Sequence, residues 1–247
     1  MKILILSDSP KLQAQTFFAR GLIPTDIPLT SDFELENSNQ LEELTKEEAI
    51  KRLDELGFSN QNLMILVEGG GLGSAKLNDL IIDSAPTIID AFPGLQIAHL
   101  CGTRHEQQTR TNYQNHLSPE QYLQIKVLGF TPELYKYSGA SDVVVARAGA
   151  STIAELALQG KATIIIPSPF LAGGHQLKNA QLLEEQGATL ILDNEVSKDD
   201  FADAIKSLLG DRVRRVELSR NLAAMAKPKA AQELAAIIIQ IINGVAS

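Results

Sequence analysis

Tryptophan is absent from this sequence, and cysteine occurs once in 247 residues, as Cys101. A single thiol excludes an intrachain disulfide and any cysteine-based metal finger. No apolar run reaches the roughly 20 residues that a membrane-spanning helix needs. The longest late run, "LAAIIIQIINGVA" from Leu234, is expected to be a C-terminal docking helix instead. No signal-peptide pattern is found at the start, so a cytoplasmic location is expected. Positive charge is in deficit: 22 Lys and Arg face 30 Asp and Glu, a net charge of −8. That balance argues against non-specific nucleic-acid binding, which depends on many phosphate-neutralising cations. Internal repeats and low-complexity tracts are lacking as well.

The cations that are there gather late. Between Lys206 and Lys229 seven basic residues stand against Asp211 and Glu217, a local balance of +5. Such a run is either a solvated helix face or a patch for anionic lipid or a partner. With 44% apolar and 5% aromatic residues, the chain has the composition of an ordinary globular α/β core.

Residues 1–24 have the pattern of one strand and one helix, "KILILSDSPKLQAQTFFARGL". Residues 25–44, which follow Pro24, contain Pro28 and carry many acidic and amide side chains, have the composition of a linker. Thr45 and Glu48 form a capping-box pattern before a helix that ends at Gly57, and the main domain is expected over 45–247. From Leu63 strands and helices alternate. Strands are expected at 63–67, 95–101, 124–128, 142–146, 162–166 and 188–192, with helices at 74–91, 151–159 and 175–186. The pattern predicts an α/β fold, a Rossmann-like parallel sheet with helices on both faces. In such folds ligands bind at the carboxyl ends of the strands.

Three loops follow strand ends. The first, "VEGGGLGSAKLND", places four glycines in five positions between a strand and a helix. Either it is a tight turn, or it lets an anion approach bare backbone at a helix N-terminus. The second, "AGASTIAEL", sets Glu155 one turn inside a helix that Ser151 or Thr152 is expected to cap. Glu155 can accept hydrogen bonds from a ribose diol, or it can complete a capping box with Thr152. The third, "PSPFLAGGHQLKN", puts His175 and Gln176 at the start of a helix after Gly173 and Gly174. The glycine loop lacks the Gly-Lys-Ser/Thr ending of a P-loop, and Gly69-x-Gly71-x-x-Ser74 matches a dinucleotide fingerprint only in part. Neither Gly-x-Ser-x-Gly nor HExxH occurs, and no two aspartates stand two apart. No metal site is expected.

Four stretches, "GGGLGSAKLN", "VLGFTPEL", "SDVVVARAGASTIAEL" and "PSPFLAGGHQLKNAQLLEEQGA", together resemble the glycosyltransferases of family 28, in the family's order and spacing. The likeness covers roughly residues 25–243 and corresponds to the UDP-sugar-binding C-terminal half of a GT-B enzyme. It implies that the backbone of Gly70, Gly71, Leu72 and Gly73, with the helix from Ser74, cradles the UDP diphosphate. Phe130 and Thr131 would meet the uracil and Glu155 the ribose. Gly149, Ala150, Ser151, His175, Gln176 and Asn179 would complete the substrate site.

The implied activity is an inverting, metal-independent transfer of N-acetylglucosamine or another hexose from UDP to a lipid-linked acceptor of peptidoglycan precursor synthesis. The UDP-sugar is then a substrate, and no cofactor is expected. A diacylglycerol glucosyltransferase, or a non-catalytic UDP-sugar-binding subunit completed by a separate acceptor domain, is the alternative. The family's usual serine is replaced by Gly71. Its N-terminal domain, which carries the general-base histidine, has no counterpart in the sequence beyond residues 1–24. The catalytic base is therefore unassigned, and an acceptor-domain subunit or a second copy is the expected partner. The expected place of action is the inner face of the cell membrane, as a peripheral protein.

Overall fold

The computed structural model describes residues 55–59, 62–169 and 174–242. The expected first strand and helix, the linker, the Thr45–Glu48 capping box and Gly173 lie outside them, as does the sequence beyond Ile242.

Six strands form one sheet: β1 (Met64–Glu68), β2 (Gln96–Leu100), β3 (Ile125–Leu128), β4 (Val143–Ala146), β5 (Thr163–Ile165) and β6 (Leu190–Ile191). All pair in parallel, in the order β3-β2-β1-β4-β5-β6. Strands buried on both faces appear in sequence as continuous apolar runs, which is why "MILV" and "VVVA" stand out. The helices are α1 (Ala75–Ala91), α2 (Glu106–His116), α3 (Pro119–Tyr122), α4 (Leu134–Ala140), α5 (Ala150–Leu158), α6 (His175–Glu185), α7 (Lys198–Gly210), α8 (Arg212–Ala224) and α9 (Ala230–Ile242).

Side chains of a strand alternate between the faces of the sheet, and β1 shows the consequence. Ile65 and Val67 join the core under α1 and α7, with Ile81, Ile88 and Phe201. Met64 and Leu66 join the opposite core under α4, α5 and α6, with Tyr137, Leu156 and Leu183. By the same alternation Glu68, the last residue of β1, falls on the α5 side.

The expected elements are found with shifted edges, and β6 shrinks to two residues. Helix α5 begins at Ala150, with Gly149 as N-cap and no capping side chain. Thr152 therefore lies inside the helix, and the capping-box reading of Thr152 and Glu155 is corrected. The basic run maps onto α7, α8 and the turn after them. Lys206 pairs with Asp203, Arg214 with Glu217, and Arg215 donates to the Leu208 and Leu209 carbonyls. Among the described residues, no helix is long and apolar enough to cross a membrane.

Beneath the first face, His99 on β2 is fully buried. Its Nε2 lies 3.0 Å from Asn78 Oδ1 and its Nδ1 3.0 Å from the Tyr113 hydroxyl. An amide oxygen only accepts, so Nε2 carries the proton and Tyr113 donates to Nδ1. Asn78 Nδ2 in turn donates to the Cys101 carbonyl at 3.0 Å. Burial pushes the His99 pKa down to about 3, which keeps the ring neutral and the chain of bonds intact. The network fixes α1 and α2 to the end of β2.

Candidate functional site: a cavity at the switch point of the sheet

From β1 the chain moves to β2 on one side, whereas β4, paired to the other side of β1, leads on to β5. The loops after β1 and β4 thus diverge, and a crevice opens between them. Open parallel sheets bind ligands at such a switch point. Here it holds a cavity of about 210 Å³. Its walls come from the glycine loop after β1, the loop at Gly129–Pro132, and the start of α5.

The glycine loop does two separate things. Gly70, at φ +81°, has open space around it, and with Gly71 it faces the cavity. Gly73, at φ +76°, is instead pressed against the turn after β2, where a Cβ would collide with the Cys101 carbonyl. The Gly73 N–H closes the loop onto the Gly70 carbonyl at 2.9 Å.

Two helices point their N-termini toward this region, and they differ. Helix α1 is capped by Ser74, whose Oγ accepts from the Leu77 N–H at 3.4 Å. The same oxygen accepts from Arg147 Nε and Nη2 at 3.2 and 2.8 Å. Helix α5 has no side-chain cap, and Gly149, Ser151 and Thr152 of its first turn line the cavity. Uncapped N–H groups and the positive end of a helix dipole are features that favour an anion.

Arg147, which follows β4, is buried. Besides Ser74, its Nη1 donates to the Ile166 carbonyl at 3.0 Å and to Asn194 Oδ1 at 2.8 Å. Burial lowers its pKa. The guanidinium thereby ties the ends of β4 and β5 to the cap of α1, and it is the cation of the cavity lining among the described residues.

Two carboxyl groups face the same space. Glu68 retains only 4% of its surface, and its pKa is raised to about 8, first by burial and then by the charge of Glu155. Glu155 is half-buried, and burial raises its pKa to about 7.

Of the residues singled out from sequence, Gly70, Gly71, Phe130, Thr131, Gly149, Ser151, Glu155 and Gln176 line this one cavity. Phe130 stands at its rim, 60% exposed. Leu72, Gly73, Ser74, Ala150, His175 and Asn179 are not part of the lining. Leu72 is 80% exposed, and His175 sits exposed at the first position of α6. Asn179 donates to the Ala148 carbonyl at 3.0 Å, while Gln176 Oε1 accepts from the Ser168 N–H at 2.8 Å. Sequence reasoning missed Glu68 and Arg147. The one signal for Glu68 was a carboxylate closing an otherwise apolar strand next to the glycines. Among the described residues no cluster of three or more His, Cys, Asp or Glu side chains could hold a metal.

The family model for the glycosyltransferase family 28 C-terminal domain matches residues 64–234. An undecaprenol N-acetylglucosamine transferase of Geobacter sp. (strain M21), whose full name specifies UDP-N-acetylglucosamine and an N-acetylmuramyl-(pentapeptide) pyrophosphoryl-undecaprenol, is 34% identical over 176 residues. That alignment covers 71% of this chain and 46% of the relative. The like-named protein of Caulobacter vibrioides is 34% identical over 178 residues, covering 71% of this chain and 48% of its own length. The chain thus spans about half the length of the curated relatives it matches. Among solved structures, Acinetobacter baumannii MurG superposes with a TM-score of 0.58 at 26% identity, over 76% of this chain and 53% of the other. The sheet order, the cavity at its switch point and these matches agree, and the chain belongs to the glycosyltransferase family 28 C-terminal domain family.

Proposed function

We propose that this chain is the donor-binding part of a UDP-N-acetylglucosamine transferase, or a close hexosyl transferase, that glycosylates a lipid-linked acceptor of peptidoglycan precursor synthesis. The observation that carries the reading is the switch-point cavity, in which the glycine loop, the uncapped start of α5 and Glu155 converge. The relatives' names supply the substrate class. In this reading the diphosphate lies between the Gly70–Gly71 backbone and the first turn of α5. Glu155 accepts from the ribose diol, and Phe130 and Thr131 flank the uracil. Gln176 faces the transferred sugar, and His175 stands beside it at the start of α6.

An inverting transfer develops negative charge on the departing UDP. Preorganised backbone N–H groups and a helix dipole stabilise that charge where it forms, with no metal required. The acceptor and its deprotonation belong to a second domain, carried elsewhere in the protein or by a partner, with the assembly peripheral at the inner face of the membrane.

Calorimetric titration with UDP, UDP-N-acetylglucosamine and ADP tests the donor reading. The two uridine ligands should bind with ADP far weaker, and equal affinities or no binding by any of the three would overturn it.

A further inference from the structure

Among the described residues the cavity lining sets two acids, Glu68 and Glu155, against one cation, Arg147, where a diphosphate would bind. Glu68 is 4% exposed, lines the cavity, and forms no hydrogen bond or ion pair through its carboxyl among the described residues. No cation among the described residues pairs with its carboxyl. Glu155 on α5 faces it with a like charge. Arg147 is committed to Ser74, Ile166 and Asn194. On β3, Lys126 is held by the Leu56 carbonyl at 2.6 Å. On α4, Lys136 is paired with Glu133 at 2.6 Å, and His175 of α6 is exposed outside the lining. A buried carboxylate without a partner discharges by taking up a proton. A nucleotide diphosphate entering the same space adds further negative charge.

We propose that Glu68 is a further nucleotide-binding residue, which meets the donor as a neutral carboxylic acid and donates its O–H to an acceptor atom of the nucleotide. The inference rests on the nucleotide reading of the cavity. Glu68 and Glu155 then divide the work: one carboxyl stays protonated as a donor, and the other ionises as the acceptor for the ribose diol. Two interacting acids in one site titrate apart in this way. Where Glu68 is ionised in the free protein, each nucleotide bound brings one proton from solvent onto its carboxyl. Burial and the neighbouring Glu155 raise its pKa to about 8, which places the change in an accessible range.

The test is calorimetric titration of UDP-N-acetylglucosamine, in EDTA, from pH 7 to 9, on the wild-type chain and on Glu68→Gln. Wild-type affinity should fall about tenfold over this interval, as follows for a group titrating near the middle of it. E68Q keeps an N–H donor and cannot ionise, so it should lack this roughly tenfold fall and exceed the wild-type affinity at pH 9. The uracil titrates equally in both titrations and cancels in the comparison. An alkaline fall of the same size in E68Q overturns the proposal. Recovery of the wild-type affinity at pH 9 by added Mg²⁺ also overturns it, since a cation would then be the counter-charge. Should E68Q not fold, proton uptake by the wild type decides, measured in buffers of different ionisation enthalpy. About one proton per nucleotide at pH 9 supports the proposal, and none overturns it. Absence of wild-type binding at every pH would instead refute the nucleotide reading itself.

Discussion

Glu155 shows how a single side chain separates a structural from a functional role. As half of a capping box it would hold the start of its helix, and its loss would lower stability by about 1 kcal/mol. The helix starts at Ala150 behind Gly149, however, and Glu155 lies beyond the first turn, facing the cavity. Its pKa, raised from 4.5 to about 7 by burial, means that the folded chain holds this proton more tightly than the unfolded one. The contribution to stability is complete below pH 4.5 and is lost as pH rises to about 7. Glu155→Ala should therefore bind UDP more weakly by about 1–3 kcal/mol, the worth of hydrogen bonds to a charged group. Its melting temperature at pH 8 should equal or exceed the wild-type value. Affinity and melting measured on the same variant check this, and a destabilised variant with unchanged affinity would return Glu155 to a structural role.

At the scale of elements, the glycine loop is two devices in one sequence. Gly73→Ala places a methyl group against the Cys101 carbonyl at a left-handed φ, so backbone strain of about 1–3 kcal/mol is joined by a clash that neither loop can relieve alone. Gly70→Ala has open space and meets only the conformational cost, about 1–2 kcal/mol, but its methyl group stands on the cavity wall. Urea denaturation should rank G73A as the less stable variant, while UDP titration should rank G70A as the weaker binder at pH 7. Sequence could not divide these roles, because Gly73 answers to the turn after β2, some thirty residues on.

The strands were legible for the opposite reason: a parallel strand covered on both faces carries its signal within four or five residues. Helix α2, "EQQTRTNYQNH", was not, since it buries only Thr109 and Tyr113 and has no apolar stripe. In the site, Gly70 and Glu155 were found through their loops, and Phe130 only through the family resemblance. Glu68 and Arg147 were missed because their roles depend on the pairing of β1 with β4 and on the cap of α1, which no local pattern encodes.

At the scale of the whole molecule, the proposed reading makes the described residues a donor site with no group left to activate an acceptor. Among the described residues, the ionisable side chains of the cavity lining are Glu68, Arg147 and Glu155. In the proposed reading the two carboxyls serve the nucleotide, while Arg147 is held by its three partners. None is left to deprotonate an incoming hydroxyl. Leu72 and Phe130, 80% and 60% exposed, stand beside this site as apolar surface that a second domain would cover on closing. Positioning an acceptor against the donor is worth roughly 7–11 kcal/mol of barrier. General-base help adds a further factor of about 10²–10⁴. The purified chain should therefore bind UDP-N-acetylglucosamine yet transfer no sugar to a polyprenyl-linked acceptor. Transfer should begin only when a family 28 N-terminal domain is added as a separate protein. The assay follows labelled sugar into the lipid fraction with and without that domain. Sustained turnover by the chain alone would mean that it carries a base and an acceptor site of its own, and the division of labour proposed for it would fall.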